Sequence, residues 1–332
     1  MLTRRSVWRG AVAAIALSSL ALLVVVLLST RHGLIEAWRR FQPLAFVAGA
    51  ACIVLVWAAK AGRMHVLARA MGFPVGVARF WRIYMITSFV SHITPFNAGG
   101  VPMQVYLTAR EGMPLGTAAA VTAVDLGLNL AAILLVIPAA LLLRRSDLPL
   151  RMPGWFAWVA VALFALILAG FVWRRFGRSE RGAARWRGGW RREFGLFKLG
   201  LKELVARGPG AAALALGLTL AYWLFYLALA PIILLGLGVR AGFGYVLAGQ
   251  LVFNFLQVLL PTPGGSGGSE LFLLAIFGPL LAPGQAGVFI LLWKLYTFHA
   301  TLALGGFFAW RALAAGRGRR PGERETPGGE GT

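Results

Sequence analysis

Two carboxylates stand inside stretches that otherwise read as hydrocarbon: Asp125, within VTAVDLGLNLAAILLV, and Glu270, closing the run PTPGGSGGSE. An acid at the centre of a membrane helix costs about 3 kcal/mol on insertion scales, so each needs a partner or a task. The basic groups within reach by sequence are Lys294, inside a later apolar run, and Arg110, next to Glu111 at the edge of an apolar segment. Asp125, Glu270, Arg110, Glu111 and Lys294 are therefore the candidates for intramembrane charge pairing or ion coupling. Glu270 also suits a plainer role: with Ser269 as N-cap it falls in the first turn of a helix, where the dipole favours negative charge.

The second kind of chemistry lies in bare backbone. Pro261, Thr262, Pro263, Gly264, Gly265, Ser266, Gly267, Gly268, Ser269 and Glu270 put two prolines and four glycines between apolar runs. Hydrocarbon cannot satisfy free N–H and C=O groups, so such a break persists only where protein covers it or where it lines a wet cavity. A related break lies at Thr94, Pro95, Asn97, Gly99 and Gly100, followed by Gln104. N–H groups at two helix starts can hold a phosphate or carboxylate without a full positive charge. These sixteen positions are the substrate-binding candidates; glycine used only for close helix packing is the alternative.

Three other chemistries fare less well. Gly264-Gly265-Ser266-Gly267 with His299 on the next span fits an intramembrane Ser/His hydrolase, but the break at Asn97-Ala98-Gly99 has no serine. His92 and His299 have no second His or Cys at ligand spacing, so no metal site is expected. No carboxylate-rich Mg²⁺ motif and no cofactor motif is present.

The elements that must hold these groups are membrane helices. The chain has 332 residues, 59% of them hydrophobic, with mean hydropathy +0.75, which places it among polytopic membrane proteins. Apolar runs fall near 10–29, 43–62, 115–143, 154–173, 209–237 and 285–310, giving six spanning helices. The arms beside the second break, Val246 to Leu260 and Leu271 to Leu281, each fall short of the roughly 20 residues a span requires. They read as a re-entrant pair, and so do the arms around Pro95. Sliding the chain by 166 positions lays Pro43 on Pro209, Trp57 on Trp223, Gly72 on Gly238, Pro95 on Pro261, Gly99 on Gly265 and Gln104 on Glu270.

A net charge of +22 with only 13% charged residues concentrates Lys and Arg outside the bilayer. Such loops follow the positive-inside rule and anionic headgroups, and nucleic acid is not expected as a partner. The Arg-rich segment from Arg174 to Arg207 and the tail from Arg311 to Arg320 belong in the cytoplasm. Both termini are then cytoplasmic, in a bacterial or archaeal inner membrane. The first apolar run follows Arg4, Arg5 and Arg9 and has no A-x-A site, so it reads as an uncleaved helix. Trp186, Trp190, Phe194 and Phe197 among the arginines suit a helix lying on the leaflet surface. The single cysteine, Cys52, allows no intrachain disulfide.

Three spans separate the breaks, so one enters from each side, an inverted-topology repeat of the kind that brings discontinuous helices together near the midplane. The expected organisation is an N-terminal helix and turn in 1–42, a first repeat in 43–145 with its break in 88–110, and a connecting helix and basic loop in 146–208. A second repeat in 209–311 has its break in 246–281, and 312–332 is a disordered tail.

Thr94-Pro95-Phe96-Asn97-Ala98-Gly99-Gly100, with Arg110-Glu111-Gly112 and Asp125, and then Pro261 through Glu270, resemble the flippase-like membrane family related to the transmembrane region of lysylphosphatidylglycerol synthases. The resemblance runs from about Pro43 to Trp310. Where some members carry an acidic and a basic residue after the first glycines, this chain has Val101, Pro102, Met103 and Gln104. The lysyl-transferase part of full synthases is a large soluble domain, for which these 332 residues leave no room. The resemblance therefore implies the translocating half: an all-α protein that moves a lipid, anionic or lipid-linked, between leaflets. A non-transporting scaffold or channel is the remaining alternative.

Overall fold

A computed structural model describes residues 31–142 and 209–315, together with single positions 16 and 20. The expected helices at 10–29 and 154–173, the basic loop and the tail from 316 lie outside the described residues. Within them the chain is all-helical: α1 (Arg31–Arg40), α2 (Pro43–Ala70), α3 (Val77–Ile93), α4 (Gly100–Arg110), α5 (Leu115–Leu142), α6 (Pro209–Gly236), α7 (Phe243–Val258), α8 (Gly268–Phe277), α9 (Pro283–Lys294) and α10 (Ala300–Ala315). Short 3₁₀ turns at Pro95–Asn97 and Pro263–Gly265 interrupt the chain between α3 and α4 and between α7 and α8. A π-helical turn, Leu295–His299, joins α9 to α10.

Four segments among the described residues are long and apolar enough to cross a membrane: Pro43–Ala70, Leu115–Ile133, Gly210–Gly236 and Gly284–Ala314. They coincide with four of the six spans expected from hydropathy. The first runs eight residues beyond the apolar stretch that suggested it, carrying Arg63 into the helix.

Pro43 and Pro209 open two helices of 28 residues each, and proline fits there because the first turn has no N–H bond to lose. Both helices end alike. Gly72 (φ 89°) and Gly238 (φ 74°) adopt the left-handed conformation just beyond the helix. The N–H of Phe73 then reaches back to Ala68 O at 3.0 Å, and that of Val239 to Leu234 O at 2.9 Å, a Schellman closure in each case. The helices α2 and α6 form the most extensive helix pair among the described residues. Trp57 and Trp223 are both buried along them.

The core gathers around these two helices. Trp57, Ile233, Phe253, Phe277, Phe289 and Trp293 form its main cluster, with the Phe253 and Trp293 rings edge to face at 5.5 Å. Outward, Leu44 and Leu224 are more than 60% exposed, as lipid-facing side chains must be in a helix that is apolar all round. Small residues let backbones touch: a Cβ on Gly305 of α10 would lie 2.7 Å from Phe89 Cβ on α3.

The 166-residue correspondence holds for α2 with α6 and for α3 with α7, which begin at Val77 and Phe243. It then slips. The 3₁₀ turns begin at Pro95 and Pro263, the next helices at Gly100 and Gly268, and the following ones at Leu115 and Pro283, each 168 apart. The linker into the second turn is longer, Leu259 to Thr262 against Thr94 alone. Ungapped pairing of Pro95 with Pro261, Gly99 with Gly265 and Gln104 with Glu270 is therefore displaced by two residues.

Candidate functional site

The two breaks, far apart in sequence, pack against each other: the turn Pro95–Asn97 contacts the turn Pro263–Gly265, which also lies against α3. Their backbones match under the two-residue slip. Phe96 (φ 54°, ψ 20°) corresponds to Gly264 (φ 61°, ψ 15°), and Asn97 (φ 54°) to Gly265 (φ 67°). Glycine takes this left-handed region freely; Phe and Asn occupy it at a cost of about 1 kcal/mol each.

The first break is braced by Thr94. Its hydroxyl donates to Val90 O (2.9 Å) or Ser91 O (3.1 Å) and accepts from the Gly99 N–H at 3.0 Å. Ser91 Oγ donates to Asn97 O at 3.2 Å. A Cβ on Gly99 would stand 2.8 Å from Thr94 Cγ2, and one on Gly100 3.0 Å from Ser91 Oγ. Pro95 is exposed, and Asn97 Oδ1 is buried without a hydrogen-bond partner.

In the second break Pro261 is exposed, whereas Gly264, Gly265 and Ser266 are buried. The Gly265 N–H reaches Thr262 O at 3.0 Å and the Ser266 N–H reaches Pro263 O at 3.2 Å. Helix α8 starts two residues earlier than Ser269 as N-cap would place it: Gly267 is the cap and Glu270 the third residue. A glycine cap offers no side chain, so only one arm of a capping box exists, Glu270 Oε2 accepting from the Gly267 N–H at 2.9 Å. Ser269 Oγ donates to the same oxygen at 2.8 Å, and Gly268 sits against Leu260.

The other carboxylate oxygen of Glu270 meets Lys294 Nζ at 3.1 Å, an ion pair whose side chains are 1% and 2% exposed. Removing either charge alone would strand the other in a low-dielectric interior. Lys294 ends α9, directly before the π turn, and its ammonium stands 5.1 Å from the Phe298 ring. Phe298 in turn lies against Gly264 and 5.1 Å from the ring of His92. His299 Nδ1 is 3.2 Å from Lys294 O. The π turn thus sets one aromatic ring against the second break and α3, and single π turns often fall at functional sites.

Ser266 is 2% exposed and its hydroxyl has no hydrogen-bond partner, so the nucleophile–base pair that a serine hydrolase requires is not assembled here. No group of three His, Cys, Asp or Glu side chains among the described residues could hold a metal ion.

Asp125 and Gln104 belong to a second cluster. Asp125, fully buried on α5, pairs with Lys60 through Oδ2 and with Arg63 through Oδ1, at 2.8 Å to Nε and 2.7 Å to Nη2. Arg63 Nη1 donates to Thr219 Oγ1 (3.0 Å) and Asn129 Oδ1 (3.3 Å), and the guanidinium faces the Tyr222 ring at 5.8 Å. Gln104, on the helix that follows the first break, reaches Asp125 Oδ2 at 3.5 Å. Arg110 takes no part: it lies over Tyr106, exposed, while Glu111 pairs with Arg79 at 3.2 Å near the surface. Sequence reading missed Lys60 and Arg63, which sit three apart on one helix face. It also missed Phe298, whose role depends on the π turn.

A family model described as the lysylphosphatidylglycerol synthase TM region matches residues 11–305. A UPF0104 membrane protein from Archaeoglobus fulgidus is 23% identical over 267 residues, covering 76% of this chain and 81% of that protein.

Proposed function

Because the chain belongs to the family of the lysylphosphatidylglycerol synthase transmembrane region, we propose that this multi-pass membrane protein moves a lipid or lipid-linked headgroup between leaflets. The observation that carries this reading is the contact between the two breaks, Pro95–Asn97 against Pro263–Gly265. Broken helices meeting in the interior are the arrangement on which transporters build their sites. Segments 43–145 and 209–311 act as inverted repeats in an inner membrane, with both termini cytoplasmic. The headgroup is held by the linings of the two breaks, from Thr94 to Gly100 and from Pro261 to Glu270. Glu270 and Lys294 couple its movement to a change of pairing, because a buried ion pair can trade partners but cannot cheaply lose one.

Catalysis is not part of this reading. The family match is to a transmembrane region, and a transporter asks the break for backbone N–H groups rather than for the Ser266 hydroxyl.

The test is lipid movement in vesicles reconstituted with the purified protein, read by leaflet-selective quenching of labelled lipids. Wild type and Ser266→Ala should move lipid, whereas Glu270→Gln should not. Loss with Ser266→Ala but retention with Glu270→Gln would favour a hydrolase. Movement no faster than in protein-free vesicles would leave a scaffold.

A further inference from the structure

Charge does not balance at the Asp125 cluster. Lys60 and Arg63 bring two positive charges, 7% and 0% exposed, against the single carboxylate of Asp125. The described residues contain three other acids, and each is paired elsewhere: Glu36 with Arg40, Glu111 with Arg79, and Glu270 with Lys294. Among the described residues one positive charge is left uncompensated in an apolar interior, where an unpaired ion is far costlier than in water.

The same groups have hydrogen-bonding capacity to spare. Arg63 Nε and Nη1 are engaged by Asp125, Asn129 and Thr219, but Nη2 has no properly aligned acceptor, although it stands at ion-pair distance from Asp125. Lys60 donates to Asp125 alone, leaving further N–H bonds of its ammonium unused. A guanidinium edge and an ammonium sharing one carboxylate leave donors that a second oxyanion would satisfy. The cluster also lies within reach of a membrane surface: Arg63 is seven residues, roughly 10 Å, from the end of α2 at Ala70. Gln104 ties it to the helix that follows the first break.

We propose that Lys60 and Arg63 form a binding site for a phosphate group, the phosphodiester of an anionic lipid headgroup, with Asp125 as its resident counter-ion. The anion docks on the free donors of Lys60 and Arg63 Nη2, bringing the cluster to neutrality, and competes with Asp125 for both cations. The assignment of the anion to a lipid rests on the lipid-moving reading above; the site itself does not.

The competition fixes the outcomes of four substitutions. Dihexanoyl phosphatidylglycerol, dihexanoyl phosphatidylcholine and inorganic phosphate are titrated calorimetrically into the full chain in a nonionic detergent. Phosphatidylglycerol should bind, and phosphatidylcholine, whose headgroup carries its own cation, should bind less tightly. Lys60→Met and Arg63→Gln should each weaken phosphatidylglycerol binding by about tenfold, the loss expected for one charge-assisted bond. Lys60→Arg should retain it. Asp125→Asn should tighten it, because the competitor's charge is gone. A merely structural ion cluster gives the opposite sign: Asp125→Asn would weaken binding along with the others.

Absence of binding by wild type, or Lys60→Met binding as well as wild type, would overturn the proposal. If Arg63→Gln does not fold, the Lys60 pair carries the comparison. Inorganic phosphate binding as tightly as the lipid, with the same response to substitution, would keep the phosphate site and remove the lipid as its source. Binding that follows the predicted pattern in a protein that moves no lipid would keep the site and defeat the translocation reading.

Discussion

Phe298 packs against the backbone of Gly264, so closely that a Cβ at that position would overlap its ring. A side chain at position 264 is excluded twice, by the ring and by φ 61°. Gly238 differs: its φ is 74°, in the Schellman closure of α6, but nothing lies within 4 Å of its absent Cβ. Gly238→Ala should therefore cost only the left-handed strain, about 1 kcal/mol. Gly264→Ala adds overpacking and should cost about 3 kcal/mol in all. Denaturation of the two variants in detergent checks the order, and Gly264→Ala/Phe298→Ala should recover part of the larger loss.

The first break offers the reverse experiment. Phe96 is 55% exposed and holds φ 54° with no glycine to ease it. Phe96→Gly should leave stability unchanged or raise it by up to about 1 kcal/mol, whereas glycine at an ordinary helical position lowers it by a similar amount. A clear drop in melting temperature would mean that the ring contributes more than its backbone costs.

Glu270 and Lys294 should behave as a unit. Glu270→Gln or Lys294→Met alone leaves a buried charge unpaired and should destabilise by about 3–5 kcal/mol, whereas the double variant should recover most of that loss. Additive losses in the double-variant cycle would show that the pair is not coupled.

The proposed arrangement in the membrane predicts where single cysteines react. Leu115, the first residue of α5, and Ala282, the cap of α9, are both exposed just after a broken pair, and inverted repeats place them on opposite sides. Leu115→Cys should label from the cytoplasm and Ala282→Cys from outside. Cys52 is buried and should add little background. Labelling of both from one face would exclude the inverted repeat.

Much of the architecture was legible because proline and glycine mark many of its helix ends, although Pro231 lies inside α6. Pro43, Pro209, Gly72 and Gly238 announced the paired long helices, and the two proline–glycine runs announced the turns that now touch. The partner of Asp125 was not legible. Hydropathy averages treat a lysine and an arginine near the end of an apolar run as the edge of the membrane. Here Lys60 and Arg63 instead continue inward on α2 because Asp125 on α5 receives them. That pairing spans 62 and 65 residues of sequence and has no local signature. The two-residue slip escaped for a similar reason, since a longer linker before Pro263 alters neither composition nor hydropathy.

The π turn at Leu295–His299 has a mechanical consequence. A turn closed by i→i+5 bonds holds one residue more than an α-helical turn, so the crossing from Gly284 to Ala314 carries slack that its anchored ends do not reveal. Were that surplus to slide one turn along the rod, the side chains it passed would swing by about 100° around the axis, while both ends stayed in place. Lys294 and Phe298 stand at its two edges. The smallest motion able to turn the one away from Glu270 and the other away from Gly264 would then be a travelling kink inside one helix, with no domain having to rock.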